Sequence, residues 1–211
     1  MARTADLDAH ARRRAQIVEA VFRIVSRDGV EHASVRNVAR DAGLSMGALR
    51  HYFATQAELL AFALGEVERR LRSRLRDVNT AADPSRALEE VLHQLLPMTP
   101  QSRVEHEIWL AFVGRAITNP ALQSLNARVY DELRELIRHL VRQVVRPGQD
   151  PDLETESLYA LVDGLVMHSA MRPDRWTPDR LSAVLHYHLD AMGSGRVPGP
   201  AAAYRRSAPS S

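Results

Sequence analysis

The 211-residue sequence contains no cysteine, no lysine, few aromatic residues (5%), and no apolar run long enough to span a membrane. Without cysteine there are no disulfides, thiolate metal sites or cysteine nucleophiles. Without lysine, all 28 basic side chains are arginine, which we read as a coding bias rather than a functional device. The opening MARTADLDAHARRR lacks the apolar stretch of a secretory signal. The expectation is a cytoplasmic protein with no membrane partner. No stretch alternates apolar and polar residues as a strand would, and no segment repeats.

What remains is the composition of a globular protein, 45% hydrophobic and 26% charged, long enough for one large domain or a small domain joined to a larger one. The net charge of +2 is unevenly spread. Residues 1–80 hold 14 arginines against 10 acids, residues 81–192 hold 11 against 16, and residues 193–211 hold 3 against none. A basic front suggests work near a polyanion, although a solvated surface carries such an imbalance equally well.

Apolar periodicity predicts helices throughout, about nine in an all-α fold. Ile17, Val21 and Val25 form a stripe from about Arg12 to Arg27, closed by Asp28-Gly29. Ser34 is placed to cap VRNVARDA, and Gly43 to stop it. Ser45 caps the next short segment, and Thr55 with Glu58 forms a capping box before a long one-sided helix. Asp83-Pro84, Ser102, Asn119-Pro120, Leu153 and Thr177-Pro178 mark the starts of five more. The stretch GSGRVPGPAAAYRRSAPSS, residues 193–211, has the composition of a disordered tail.

The pair of short helices over residues 34–42 and 45–53, joined by a tight turn at Gly43-Leu44, has the spacing of a helix-turn-helix, whose second helix enters the DNA major groove. The same spacing also occurs as a plain helical turn in a bundle. Val35, Val38, Ala39, Leu44, Leu49 and Phe53 supply a core, which leaves Ser45, Met46, Gly47, Arg50 and His51 pointing outward. Gly47 would let the backbone approach a phosphate or base edge. Arg50 could grip a guanine bidentately, His51 and Tyr52 could donate to phosphates, and Met46 could touch a thymine methyl.

The segment ASVRNVARDAGLSMGALRHYFATQAELL resembles the DNA-binding signature of the TetR family of bacterial transcriptional regulators. Ser34, Val35, Val38, Ala39, Ala42, Gly43, Leu44, Ser45, Gly47, Leu49, Tyr52, Phe53 and Leu59 fall in register. The LRHYF wording is similar to the BetI-like branch, whose best-known members respond to choline-type compounds. Arg50 stands where an aromatic is more usual. Gln56 replaces the usual lysine, which keeps a donor but loses the charge. Arg12, Arg13 and Arg14, with Arg3 before them, could compensate as a flexible basic arm along the backbone or in the minor groove, or serve only as a solubilising terminus. The candidate DNA contacts are therefore Arg12, Arg14, Ser34, Arg36, Ser45, Met46, Gly47, Arg50, His51, Tyr52 and Gln56.

The resemblance implies a homodimer that reads a partly palindromic double-stranded operator, represses transcription, and is released by a small molecule. A helix-turn-helix activator or DNA-organising protein without a ligand is the alternative. The expected layout is a flexible basic arm over 1–11, a DNA-binding domain over 12–55, a ligand-binding and dimerisation domain over 56–192, and the tail. The eighth and ninth helices, with Leu158, Leu161, Leu165, Leu181, Leu185 and His188, would form the dimer interface.

Glu105, Trp109 and Phe112 share one face of the sixth helix, where a carboxylate beside an indole could hold a cation. Tyr130, Asp163, His168 and Trp176 could contribute, and each could equally be a packing or solvated residue. The effector is expected to be cationic or apolar. No cofactor, metal site or catalytic group is expected: His186 and His188 are two apart on a helix and face different ways, and no phosphate-binding loop follows a strand.

Overall fold

The computed structural model describes residues 2–79 and 83–194. Its elements are helices α1 (Ala2–Asp28), α2 (Val35–Asp41), α3 (Met46–Tyr52), α4 (Gln56–Arg76), α5 (Pro84–Gln94), α6 (Pro100–Ala116), α7 (Pro120–Val144), α8 (Pro151–Met171) and α9 (Pro178–Ser194), with a 3-10 turn at Val30–His32. Among the described residues there is no strand, and no helix is long and apolar enough to cross a membrane. Five helices carry proline in the first turn, where the missing N–H would have had no partner.

The expectation of a flexible arm over 1–11 is corrected: α1 is helical from Ala2. Residues 2–11 contain four alanines and a leucine and neither glycine nor proline, so nothing in them stops the helix early. Of the expected tail, Gly193 and Ser194 end α9, and residues 195–211 lie outside the described residues.

The chain divides into two compact units. The first holds residues up to Asp77 and Pro97–Glu132; the second holds Val78–Leu96 and residues from Leu133 on. In the first, Ile17, Val21 and Ile24 of α1 pack with Val38 and Ala39 of α2, Leu49 of α3, Leu59 of α4, and Val104 and Ile108 of α6. This core is wider than the segment 12–55, because α4 and α6 share it with the two short helices. The second unit is built from α5, the later part of α7, α8 and α9, and its buried side chains include Leu88, Leu92, Ile137, Leu140, Leu158 and Leu185.

Candidate nucleic-acid interface

Local hydrogen bonds shape the α2–α3 pair. The Ser34 hydroxyl oxygen accepts the Asn37 N–H at 3.2 Å, and the Ser45 hydroxyl oxygen accepts the Ala48 N–H at 3.1 Å, so each helix begins on a capping serine. Between them Gly43 adopts φ +64°, the left-handed region that glycine enters without steric cost. The Leu44 N–H then reaches back to the Ala39 carbonyl at 2.8 Å and closes the end of α2. Three residues, Gly43, Leu44 and Ser45, thereby fix the angle between the helices.

The pair is anchored to the rest of its unit by both apolar and polar contacts. Leu49 is fully buried, and the Phe53 ring lies 4.9 Å from that of Phe62 on α4. From α1, the Gln16 amide donates to the Ala42 carbonyl at 2.6 Å, and the Arg23 guanidinium meets the Asp41 carboxylate at 2.7 Å. With one face of α3 held this way, Ser45, Gly47, Arg50 and His51 are exposed together on the other. Arg50 makes no ion pair among the described residues. A Cβ built on Gly47 would have nothing within 4 Å, so the fold itself does not require glycine there.

Several candidates sit differently from expectation. Met46 and Tyr52 are half-buried and pack against the core, so neither is a purely outward contact. Arg14 lies over the Phe62 ring at 4.4 Å and is exposed, as are Arg12 and Arg36. The Gln56 amide is turned inward: its Nε2 donates to the Ala33 carbonyl at 3.3 Å, and its Oε1 accepts from Arg115 at 3.4 Å. The amide therefore links α6 to the base of the helix-turn-helix instead of facing solvent. Arg115 was not singled out from the sequence, because a partner 59 residues away leaves no local pattern.

The ligand candidates are not gathered into one site within either unit. Glu105 is 2% exposed and pairs with Arg74 of α4 at 2.9 Å, so its charge is already answered inside the protein. Phe112 is fully buried beside Leu64 and Ala116, with Trp109 half-buried against the same cluster. Tyr130 is exposed on α7. In the second unit, Asp163 is half-buried and its carboxyl is pushed above the usual carboxylate range by burial. The His168 ring stacks on Trp176 with centroids 5.2 Å apart, and Arg180 approaches the other partner of that stack at 5.8 Å.

The interface assignment also needs correction. Leu158, Leu165, Leu181 and Leu185 are all buried within the single chain, so they belong to its interior. Leu161 and His188 are half-buried. The large apolar side chains that α8 and α9 leave exposed are Leu153, Met167, Met171 and Tyr187.

Comparison with known proteins agrees with this architecture. The family model described as the C-terminal domain of BetI-type transcriptional repressors matches residues 84–194. The HTH-type transcriptional regulator PksA of Bacillus subtilis is 37% identical over 187 residues, spanning 87% of this chain and 91% of that protein. A transcriptional regulator from Rhodococcus sp. Rha1 superposes with a TM-score of 0.78 at 31% identity, over 86% of this chain and 96% of that one. A putative transcriptional regulator from Saccharomonospora viridis, solved in complex with choline, superposes with a TM-score of 0.77 at 24% identity, over 85% of this chain and 96% of that one. The chain belongs to the TetR family of helix-turn-helix transcriptional regulators, with a C-terminal domain of the BetI type.

Proposed function

We propose that the protein is a cytoplasmic homodimeric repressor that holds a partly palindromic operator and releases it when a small molecule binds. The observation that carries this reading is the outer face of α3. Its exposed residues are polar, cationic or glycine, while its inner face is locked by Leu49 and by the serine caps at 34 and 45. Arg50 reads a base, most naturally guanine through O6 and N7, while Ser45, His51 and Arg36 hold phosphates. Two such helices presented by a symmetric dimer sit about one helical turn of DNA apart, which is why the operator is partly palindromic.

The effector is a small organic cation or an apolar molecule. Glu105 is already paired, so among the carboxylates of interest Asp163 is the one able to receive a cation, and the cost of its burial would be relieved by doing so. The choline complex of the Saccharomonospora viridis regulator supports trying choline first. Release requires the ligand to favour a dimer shape that no longer fits the operator, and its effect is limited by its difference in affinity for the two shapes.

The test is selection of bound sequences from a random duplex pool at a stated salt concentration, followed by titration of the winning complex with choline. Enrichment of a partly palindromic site that choline or an apolar compound releases is the expected result. An enriched site that no ligand releases would favour the activator or DNA-organising alternative. No enrichment by a folded dimer would overturn sequence-specific regulation.

A further inference from the structure

Helices α5 and α9 bring three side chains together that belong to neither the DNA-reading face nor the effector candidates: Glu89, His93 and His186. Glu89 and His93 are four apart on α5 and so share a face. One nitrogen from each imidazole and one Glu89 carboxylate oxygen all lie within 4.8 Å of one another. His186 Nε2 is 2.5 Å from Glu89 Oε1, and the two imidazole rings meet edge-on with centroids 5.5 Å apart. The cluster opens to solvent, with side-chain exposures of 22% for His93, 39% for Glu89 and 50% for His186.

The surroundings of His93 orient it. Its Nδ1 is 3.0 Å from the Glu89 carbonyl oxygen, which can only accept, so Nδ1 carries the proton. In the neutral ring Nε2 then carries the lone pair, and it lies 3.1 Å from the Ser182 hydroxyl. An imidazole whose N–H is held by a backbone carbonyl while the opposite nitrogen offers its electron pair is the arrangement in which histidine binds metals.

We propose that Glu89, His93 and His186 form a binding site for a divalent transition ion of the zinc type, which ties α5 to α9 within the second unit. Two imidazoles and one carboxylate make a zinc donor set with a further position left for water. Magnesium and calcium favour more oxygen ligands, and with no cysteine in the chain there is no thiolate for softer ions.

Ligand bonds of about 2.0–2.2 Å place the donor atoms of a tetrahedral ion roughly 3.4 Å apart. The His186–Glu89 hydrogen bond therefore opens by less than about 1 Å. The proton between His186 and Glu89 passes to solvent or to His186 Nδ1.

The experiment titrates the full chain, free of DNA and chelators, with zinc chloride in a calorimeter, and repeats the titration with cobalt(II) followed by its visible spectrum. The expected result is one ion per chain, a rise in Tm with zinc, and no comparable effect of magnesium. His93→Gln and His186→Gln should each weaken binding by at least the roughly 10–100-fold that loss of even an outer-shell partner costs. Both should also abolish the Tm rise. His188→Gln, outside the cluster, should bind as the wild type does. Since His186 is half exposed, its variant folds, and unchanged far-UV circular dichroism verifies this. Zinc binding weaker than about 1 mM, or affinity unchanged in both His93→Gln and His186→Gln, overturns the proposal.

Discussion

Helices α3 and α8 each leave one face unused by their own unit, and the two faces are opposite in kind. At α3 and its cap the exposed residues are Ser45, Gly47, Arg50 and His51; the last turns of α8 expose Met167, Ala170 and Met171 beside His168, while its first turns expose Asp152, Glu156 and Ser157. A surplus of cationic and polar groups around a glycine suits a polyanion that approaches the backbone closely. A surplus of methionine and alanine at helical spacing suits another apolar surface, which in a homodimer is the same surface repeated. On the proposed reading one face meets DNA and the other a second copy of the chain, and the two answer to different forces. Salt should loosen the first and leave the second largely intact.

The comparison breaks most completely if the inner face of α3 is removed. Leu49→Ala deletes a fully buried side chain from the core that α1, α2, α4 and α6 share, and should cost about 2–5 kcal/mol of stability. Chemical denaturation followed by circular dichroism measures this. A cost below about 1 kcal/mol would mean that α3 is not held from behind, and its outward display would lose its physical basis.

Next in size is Arg74→Ala, which strands the Glu105 carboxylate, 2% exposed, without its partner. Removing one member of a buried pair costs about 3–5 kcal/mol, and the low end applies because Arg74 itself is one-third exposed. Glu105→Gln should cost less, since the arginine left behind can turn to water. If the ranking were reversed, Glu105 would not be the buried member that depends on the pair. This pair also shows why the ligand candidates were hard to read: Arg74 and Glu105 are 31 residues apart, and nothing local marks one as the other's counter-ion.

The helix-turn-helix was legible because its determinants are local. Ser34, Gly43 and Ser45 act within a few residues of their own positions, and the apolar positions repeat at helical spacing. Helix starts at Pro84, Pro120 and Pro178 were legible for the same reason. The inward turn of Gln56, the stacking of Arg14 on Phe62, and the burial of Leu165 beside the exposure of Met167 depend on packing between distant segments. Pattern alone gives a helix its amphipathicity but not the orientation of a helix that is apolar nearly all round.

Arg50→Ala sharpens the functional half of the comparison. Loss of a bidentate base contact should cost about 1–3 kcal/mol and relax discrimination at one operator position, as competition binding with single-base variants would show. Equal weakening on all sequences would make Arg50 a phosphate contact instead.

Asp163→Asn probes α8 more gently. Burial raises the Asp163 pKa, so the folded chain binds that proton more tightly than the unfolded chain does. Stability therefore falls as pH rises through the window from the ordinary carboxyl value to the raised one, and above it the ionised group is a constant cost. Asp163→Asn should raise Tm near neutral pH and lose that gain at pH below the window. A lower Tm at neutral pH would show that the carboxylate finds a counter-charge in the assembled dimer.

The smallest expected change in stability is the most informative about α3. A Cβ at position 47 would meet nothing within 4 Å, and glycine near the start of a helix gives up intrinsic helix propensity relative to alanine. Gly47→Ala should therefore leave stability unchanged or raise it by up to about 1 kcal/mol. The methyl group would instead project where the helix backbone approaches DNA, so operator affinity should fall while Tm does not. A folded, slightly more stable protein that binds DNA less tightly would locate the glycine's purpose outside the molecule. Unchanged affinity would mean that the backbone at position 47 does not come close to the DNA, and that α3 docks through its side chains alone.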